Sequence, residues 1–143
     1  MAYTKVRRKT MPIPVEPAVL AVHLISPAGT TVDIPVYIPW ESCKLTYAYT
    51  VTTVAEGNDA AVGIDLELDA ASGTAIGTVT VAQNASVGDL DEIVFAATPS
   101  AAGENLSALI SGRDQINLEV TGDNTTATWQ GMLYLYFEPW EGE

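Results

Sequence analysis

Basic side chains are scarce: 6 Lys and Arg stand against 18 Asp and Glu, for a formal charge of −12. A field of that sign repels phosphate backbones, so the body of the protein is not expected to bind nucleic acid. The single cysteine, Cys43, excludes an internal disulfide. The single histidine, His23, would have to serve any Ser/His/Asp or Cys/His arrangement, and it sits in an apolar stretch that suits a packed or edge residue better. One His and one Cys cannot furnish the three or four nitrogen and sulfur ligands that zinc takes. Neither GxGxxG nor GxxxxGK[ST] occurs, so no phosphate cradle is predicted. No run approaches the roughly 18 apolar residues of a membrane span. The charged start, MAYTKVRRKT, leads into Pro12, Pro14 and Pro17 rather than an apolar run, so no secretion signal is expected. These absences predict a protein that is not an enzyme, needs no cofactor and contacts no membrane.

Acidic residues are plentiful, and calcium is held by oxygen alone. Asp89, Asp91 and Glu92 share the segment SVGDLDE, and Asp65, Glu67 and Asp69 alternate along one strand face. Neither set has the EF-hand spacing, so solvated acidic faces are expected and no metal site is assigned. Cleavage of glycosides by paired carboxylates needs a sugar-sized cleft that spacing does not reveal.

What the chain does have is period-two patterning. Within TATWQGMLYLYF, Ala127, Trp129, Gly131, Leu133, Leu135 and Phe137 are apolar or small, and Thr126, Thr128, Gln130, Met132, Tyr134 and Tyr136 alternate with them. Such alternation is a β-strand with one dry face. It places Trp129 in the core, with the other strands stacked around it.

Further strands follow from the same rule. Ala18 to Ile25 reads as a first buried strand. Val32 to Ile38 holds Pro35, which removes a ladder donor and makes it an edge strand or a bulge. Lys44 to Val54 puts Leu45, Tyr47, Tyr49 and Val51 on one face. Val62 to Leu68, Ala75 to Ala82, Glu92 to Ala97 and Gln115 to Thr121 complete the set, and Asn105 to Ile110 fits either a helical turn or a strand. Short strands with turn clusters between them and no sustained helical period predict an all-β sandwich or barrel, with a jelly-roll-like sandwich the first choice. At 143 residues the chain suits one domain.

Charge is laid out unevenly. Lys5, Arg7, Arg8 and Lys9 are four of the six cations, and the chain from residue 10 onward has two cations against 18 acids, or −16. Residues 1 to 17 therefore read as an extended basic arm with polyproline character, followed by a sandwich domain over residues 18 to 143. The four cations are candidate partner-binding residues. Trp40 and Trp140, each next to a proline, are candidate subunit contacts, with a sugar-stacking platform as the other reading of these tryptophans and the six tyrosines.

Two segments, TVTVAQNASVGDLDEIVFAATPSAAGENL (Thr78 to Leu106) and INLEVTGDNTTATWQGMLYLYFEPW (Ile116 to Trp140), resemble the C-terminal part of small β-rich virion proteins of tailed bacteriophages. The likeness lies in an Ala/Val/Thr strand, a VGD loop, an alanine-rich loop and a terminal aromatic strand ending in EP. The resemblance implies a non-enzymatic head decoration or cement protein on the capsid exterior. Such a protein would bind the major capsid protein, bridge capsomers, and assemble as a homo-oligomer, most simply a trimer. A head fibre base, a tail adaptor or a carbohydrate-binding β-sandwich module are the alternative expectations.

Overall fold

The closing strand organises the structure as its alternation predicts. The computed structural model describes residues 18–27, 30–37, 42–55, 61–68, 74–96, 108–110, 115–122 and 129–139. The expected arm over residues 1 to 17, including Lys5, Arg7, Arg8 and Lys9, lies outside the described residues, as do Trp40 and Trp140.

Among the described residues there are ten strands: β1 (Ala18–Ile25), β2 (Thr30–Tyr37), β3 (Cys43–Val54), β4 (Val62–Leu68), β5 (Thr74–Val81), β6 (Leu90–Glu92), β7 (Val94–Phe95), β8 (Ala108–Ile110), β9 (Ile116–Gly122) and β10 (Gln130–Pro139). They make two antiparallel sheets. One has the order β1-β10-β3-β6, with β8 also paired to β3; the other has the order β2-β9-β4-β5-β7. We call these the front and back sheets. Their interleaved order is that of a jelly roll, in which most successive connections cross from one sheet to the other.

Between the sheets lies a core of alternating apolar residues: Leu133, Leu135 and Phe137 from β10, Val62, Ile64 and Leu66 from β4, and Ile116, Leu118 and Val120 from β9. Trp129 is fully buried at the entry to β10, and its indole N–H donates to Thr52 Oγ1 at 2.9 Å. A buried indole N–H without an acceptor is costly, and this bond explains why a threonine faces the core on β3. Gly131 makes the arrangement possible. A Cβ there would lie 2.3 Å from Trp129 Cζ2 and 2.9 Å from the Val51 carbonyl oxygen, so only glycine leaves room for the ring against the strand.

Four readings from the sequence are refined. β2 is an edge strand as Pro35 requires, with a register shift between Pro35 and Tyr37. β1 is also an edge strand rather than a fully buried one: Leu20, Val22 and Leu24 face the core while Val19, Ala21, His23 and Ile25 face outward. The predicted strand from Glu92 to Ala97 breaks between sheets, β6 joining the front and β7 the back. Residues 108 to 110 are strand, not helical turn.

The face assignment on β3 changes most. A register shift opposite Tyr136 and Phe137 leaves Thr46 out of the cross-strand register, its hydroxyl donating to the Tyr136 carbonyl at 3.3 Å, so alternation restarts after Leu45. Leu45, Ala48, Thr50 and Thr52 are buried, and Tyr47, Tyr49 and Val51 turn outward. An extra residue in one strand flips everything beyond it, which is why simple alternation put the tyrosines beside Leu45.

Candidate functional site: a tyrosine face and an acidic face

The bulge at Thr46 places a Tyr-x-Tyr pair of β3 against a Tyr-x-Tyr pair of β10. Tyr47 is in register with Tyr136, and Tyr49 with Tyr134. The four rings form one cluster on the outer side of the front sheet. Ring centroids are 5.1 Å apart for Tyr49 and Tyr134, 6.0 Å for Tyr49 and Tyr136, 5.8 Å for Tyr47 and Tyr136, and 5.3 Å for Tyr47 and Tyr49. Tyr49 is the centre, since it meets all three others.

Cross-strand register extends the cluster into rows. Val19 flanks Tyr136, Ala21 flanks Tyr134, and a third row runs His23, Met132, Val51, Leu90. Val19 (54% exposed), Ile25 (51%) and Leu90 (52%) add aliphatic surface at the rim. Polar groups are few and fixed. Tyr47 donates its hydroxyl to Glu92 Oε2, and His23 Nε2 lies 3.2 Å from Gln130 Oε1. The hydrogen bond to Glu92 pushes the Tyr47 phenol up to about 12, and the hydrogen bond with Tyr136 raises that of Tyr49. The Tyr47 and Tyr49 phenols are therefore held further in the protonated form at neutral pH.

The back sheet has the opposite character. Asp33, Glu119 and Asp65 are directly cross-strand neighbours on β2, β9 and β4, with Glu67 one step along. Partial withdrawal from water, then the carboxylates of Glu67, Asp33 and Asp65, raise the Glu119 carboxyl. Thr78 Oγ1 donates to Asp65 Oδ1 at 2.7 Å. Lys44 is the one Lys or Arg among the described residues, and it belongs to the front sheet. Like charges directly opposite in a sheet are destabilising, so this row stores repulsion on a face with no cation of its own among the described residues.

The other sequence candidates are dispersed. Cys43 is buried at the start of β3, and burial raises its thiol. Asp89, Asp91 and Glu92 do not converge: Glu92 faces outward to Tyr47, the Asp89 carboxylate accepts from the Ser86 backbone N–H at 2.8 Å, and Asp91 is opposite Thr50. Among the described residues no group of three or more His, Cys, Asp or Glu is placed to hold a metal ion. Asp69 lies outside the described residues.

Thr50 Oγ1 and Asp91 Oδ2 are buried without hydrogen-bond partners. Burial, and secondarily the Asp89 charge, raises the Asp91 carboxyl. A raised carboxyl favours the protonated folded state, so its contribution to stability falls as pH rises through the carboxylate range. Asp91→Asn is expected to be more stable than the wild type at neutral pH and to lose less stability between acid and neutral solution. Melting curves across that range check it; equal losses in both proteins count against it.

No protein-family model matches the chain, and no curated protein matches it. Among solved structures it is similar to one described as "Bacillus endospore appendages form a novel family of disulfide-linked pili", with a TM-score of 0.45 and 17% identity over 87% of this chain and 88% of that one. At that score the likeness settles neither fold nor function.

Proposed function

We propose that this protein is a non-enzymatic structural component of a virion, a capsid decoration protein of the tailed-phage type that seats on the outer shell through the tyrosine face of its front sheet. The observation that carries the reading is the Tyr47, Tyr49, Tyr134, Tyr136 cluster with its rim of exposed aliphatic side chains. Tyrosine is enriched at protein interfaces because it combines apolar area with a hydroxyl and loses little entropy on docking. The likeness of the Thr78 to Leu106 and Ile116 to Trp140 segments to phage virion proteins supplies the particular partner, the major capsid protein.

A sugar platform needs aromatic faces turned to solvent. Here Tyr49 is stacked with Tyr134 and Tyr136 at interplanar angles of 26°, so neighbouring rings cover one another's faces. Rings packed on one another in this way suit a protein surface better than a pyranose face.

The test is sedimentation of the protein with undecorated heads, with separated tails, and with neither, beside a glycan array. Retention on heads and a silent array are expected. Retention on tails alone would move the protein to an adaptor, and a clear array signal without particle binding would make it a carbohydrate-binding module.

A further inference from the structure

Two features of the back sheet ask for one ligand. The first is the row Asp33, Glu119, Asp65. The second is Asn117, which alternates outward between core residues Ile116 and Leu118, pairs with Glu67 on one side and Pro35 on the other, and is only 3% exposed. Its Nδ2 has no hydrogen-bond partner. An amide donor wants an oxygen acceptor, and the carboxylates two residues along the strand want a cation. A metal ion would meet only the second demand. A basic peptide with unpaired backbone carbonyls meets both, and a polyproline-type segment has all its carbonyls free.

The chain carries such a peptide in its first 17 residues: Lys5, Arg7, Arg8 and Lys9, followed by Pro12, Pro14 and Pro17. We propose that this arm docks on the acidic back sheet of a second copy of the chain, with its cations along the row Asp33, Glu119, Asp65 and a backbone carbonyl on Asn117 Nδ2. The proposal deepens the oligomeric reading above by giving the assembly its contact, and does not depend on what the tyrosine face binds.

Reach is sufficient for a second copy. Ala18, where the arm joins, pairs with Phe137, whose ring centroid is 5.0 Å from that of Tyr37; Tyr37 pairs with Ile116, next to Asn117. The arm therefore leaves from the end of the sandwich where Asn117 lies. Sheets about 10 Å apart and strands about 4.8 Å apart put the centre of the back face roughly 20 Å from that point. Lys9 and Lys5 precede Ala18 by nine and thirteen residues, or about 28 to 40 Å at roughly 3.1 Å per residue. That length exceeds the distance to the back face, so the cations can reach the acidic row of a neighbouring copy. Arm-to-face contact between copies is head-to-tail, which closes into a ring at a suitable rotation; three copies are the simplest such ring for the expected trimer.

Complementation tests this directly. One variant lacks residues 1 to 10. The other carries Asp33→Lys and Glu119→Lys on the back sheet, with both folds verified by far-UV circular dichroism and by melting. Light scattering at low salt is expected to find an oligomer for the wild type and a monomer for each variant alone. An equimolar mixture of the two is expected to form dimers, because the first variant keeps an intact face and the second an intact arm. Those dimers should dissociate near 1 M salt, where the screening length falls to about 3 Å. Oligomers of either variant alone, or a mixture that stays monomeric, would overturn the proposal. Retention on heads by the arm-deleted variant would separate this contact from the seating surface, and so distinguish its failure from failure of the decoration reading.

Discussion

Trp129→Ala is expected to lower the melting temperature by roughly 6 to 20 °C, from a truncation cost of about 3 to 5 kcal/mol and a shift of about 2 to 4 °C per kcal/mol in a domain near this size. The ring is fully buried between the sheets, and three things are built around it. Gly131 has no side chain because the ring occupies that space. Thr52 faces the core to accept the indole proton. The Trp129 carbonyl accepts from the Ser26 backbone N–H at 3.0 Å, tying the start of β10 to the end of β1. Truncation leaves a cavity between the sheets and strands the Thr52 hydroxyl. Trp129→Phe should cost less, since it keeps most of the volume and loses mainly the hydrogen bond. An unchanged melting curve for Trp129→Ala would mean that the closing strand has a different register.

Much of the architecture is written in period two. The inward set of β10, the inward sets of β4 and β9, and the edge position of β2 all follow from residue type and from Pro35, because a face that is dry along a whole strand leaves no freedom in register. The strand order of the two sheets is a different matter. It depends on pairings between residues over a hundred positions apart, such as Ala18 with Phe137, and local pattern is silent on those.

The site was half legible. Tyr-x-Tyr occurs twice, at Tyr47 and Tyr49 and at Tyr134 and Tyr136, and two such motifs on neighbouring strands must meet if their faces agree. The bulge at Thr46 decides the face, and nothing in the β3 sequence announces it: threonine recurs at positions 46, 50, 52 and 53. Asn117 was hidden for the opposite reason. An asparagine between Ile116 and Leu118 reads as an ordinary outward residue, and its burial belongs to the tertiary structure alone.

On the proposed decoration role, Tyr49→Ser is expected to weaken seating on the particle by about 30-fold, the effect of losing one interface hot spot, while the melting temperature changes much less than for Trp129→Ala. Tyr49 has three aromatic neighbours, at 5.3, 5.1 and 6.0 Å, so its removal opens the middle of the face and lets Tyr134 and Tyr136 lean inward. Its row partner Glu92 keeps the hydroxyl of Tyr47, so the rim stays in place. Thr121→Ser on the back sheet is the matched control: it changes one methyl on an outward residue of the other sheet and should leave seating as it was. Occupancy of undecorated heads, titrated with each protein at one fixed salt concentration, reads both effects. Salt should matter little for the tyrosine contact, because ring edges and hydroxyls are not screened as ion pairs are. If Tyr49→Ser seats as tightly as the wild type while Asp33→Lys does not, the protein docks by its acidic back sheet, and the tyrosine cluster serves only to hold β3 against β10.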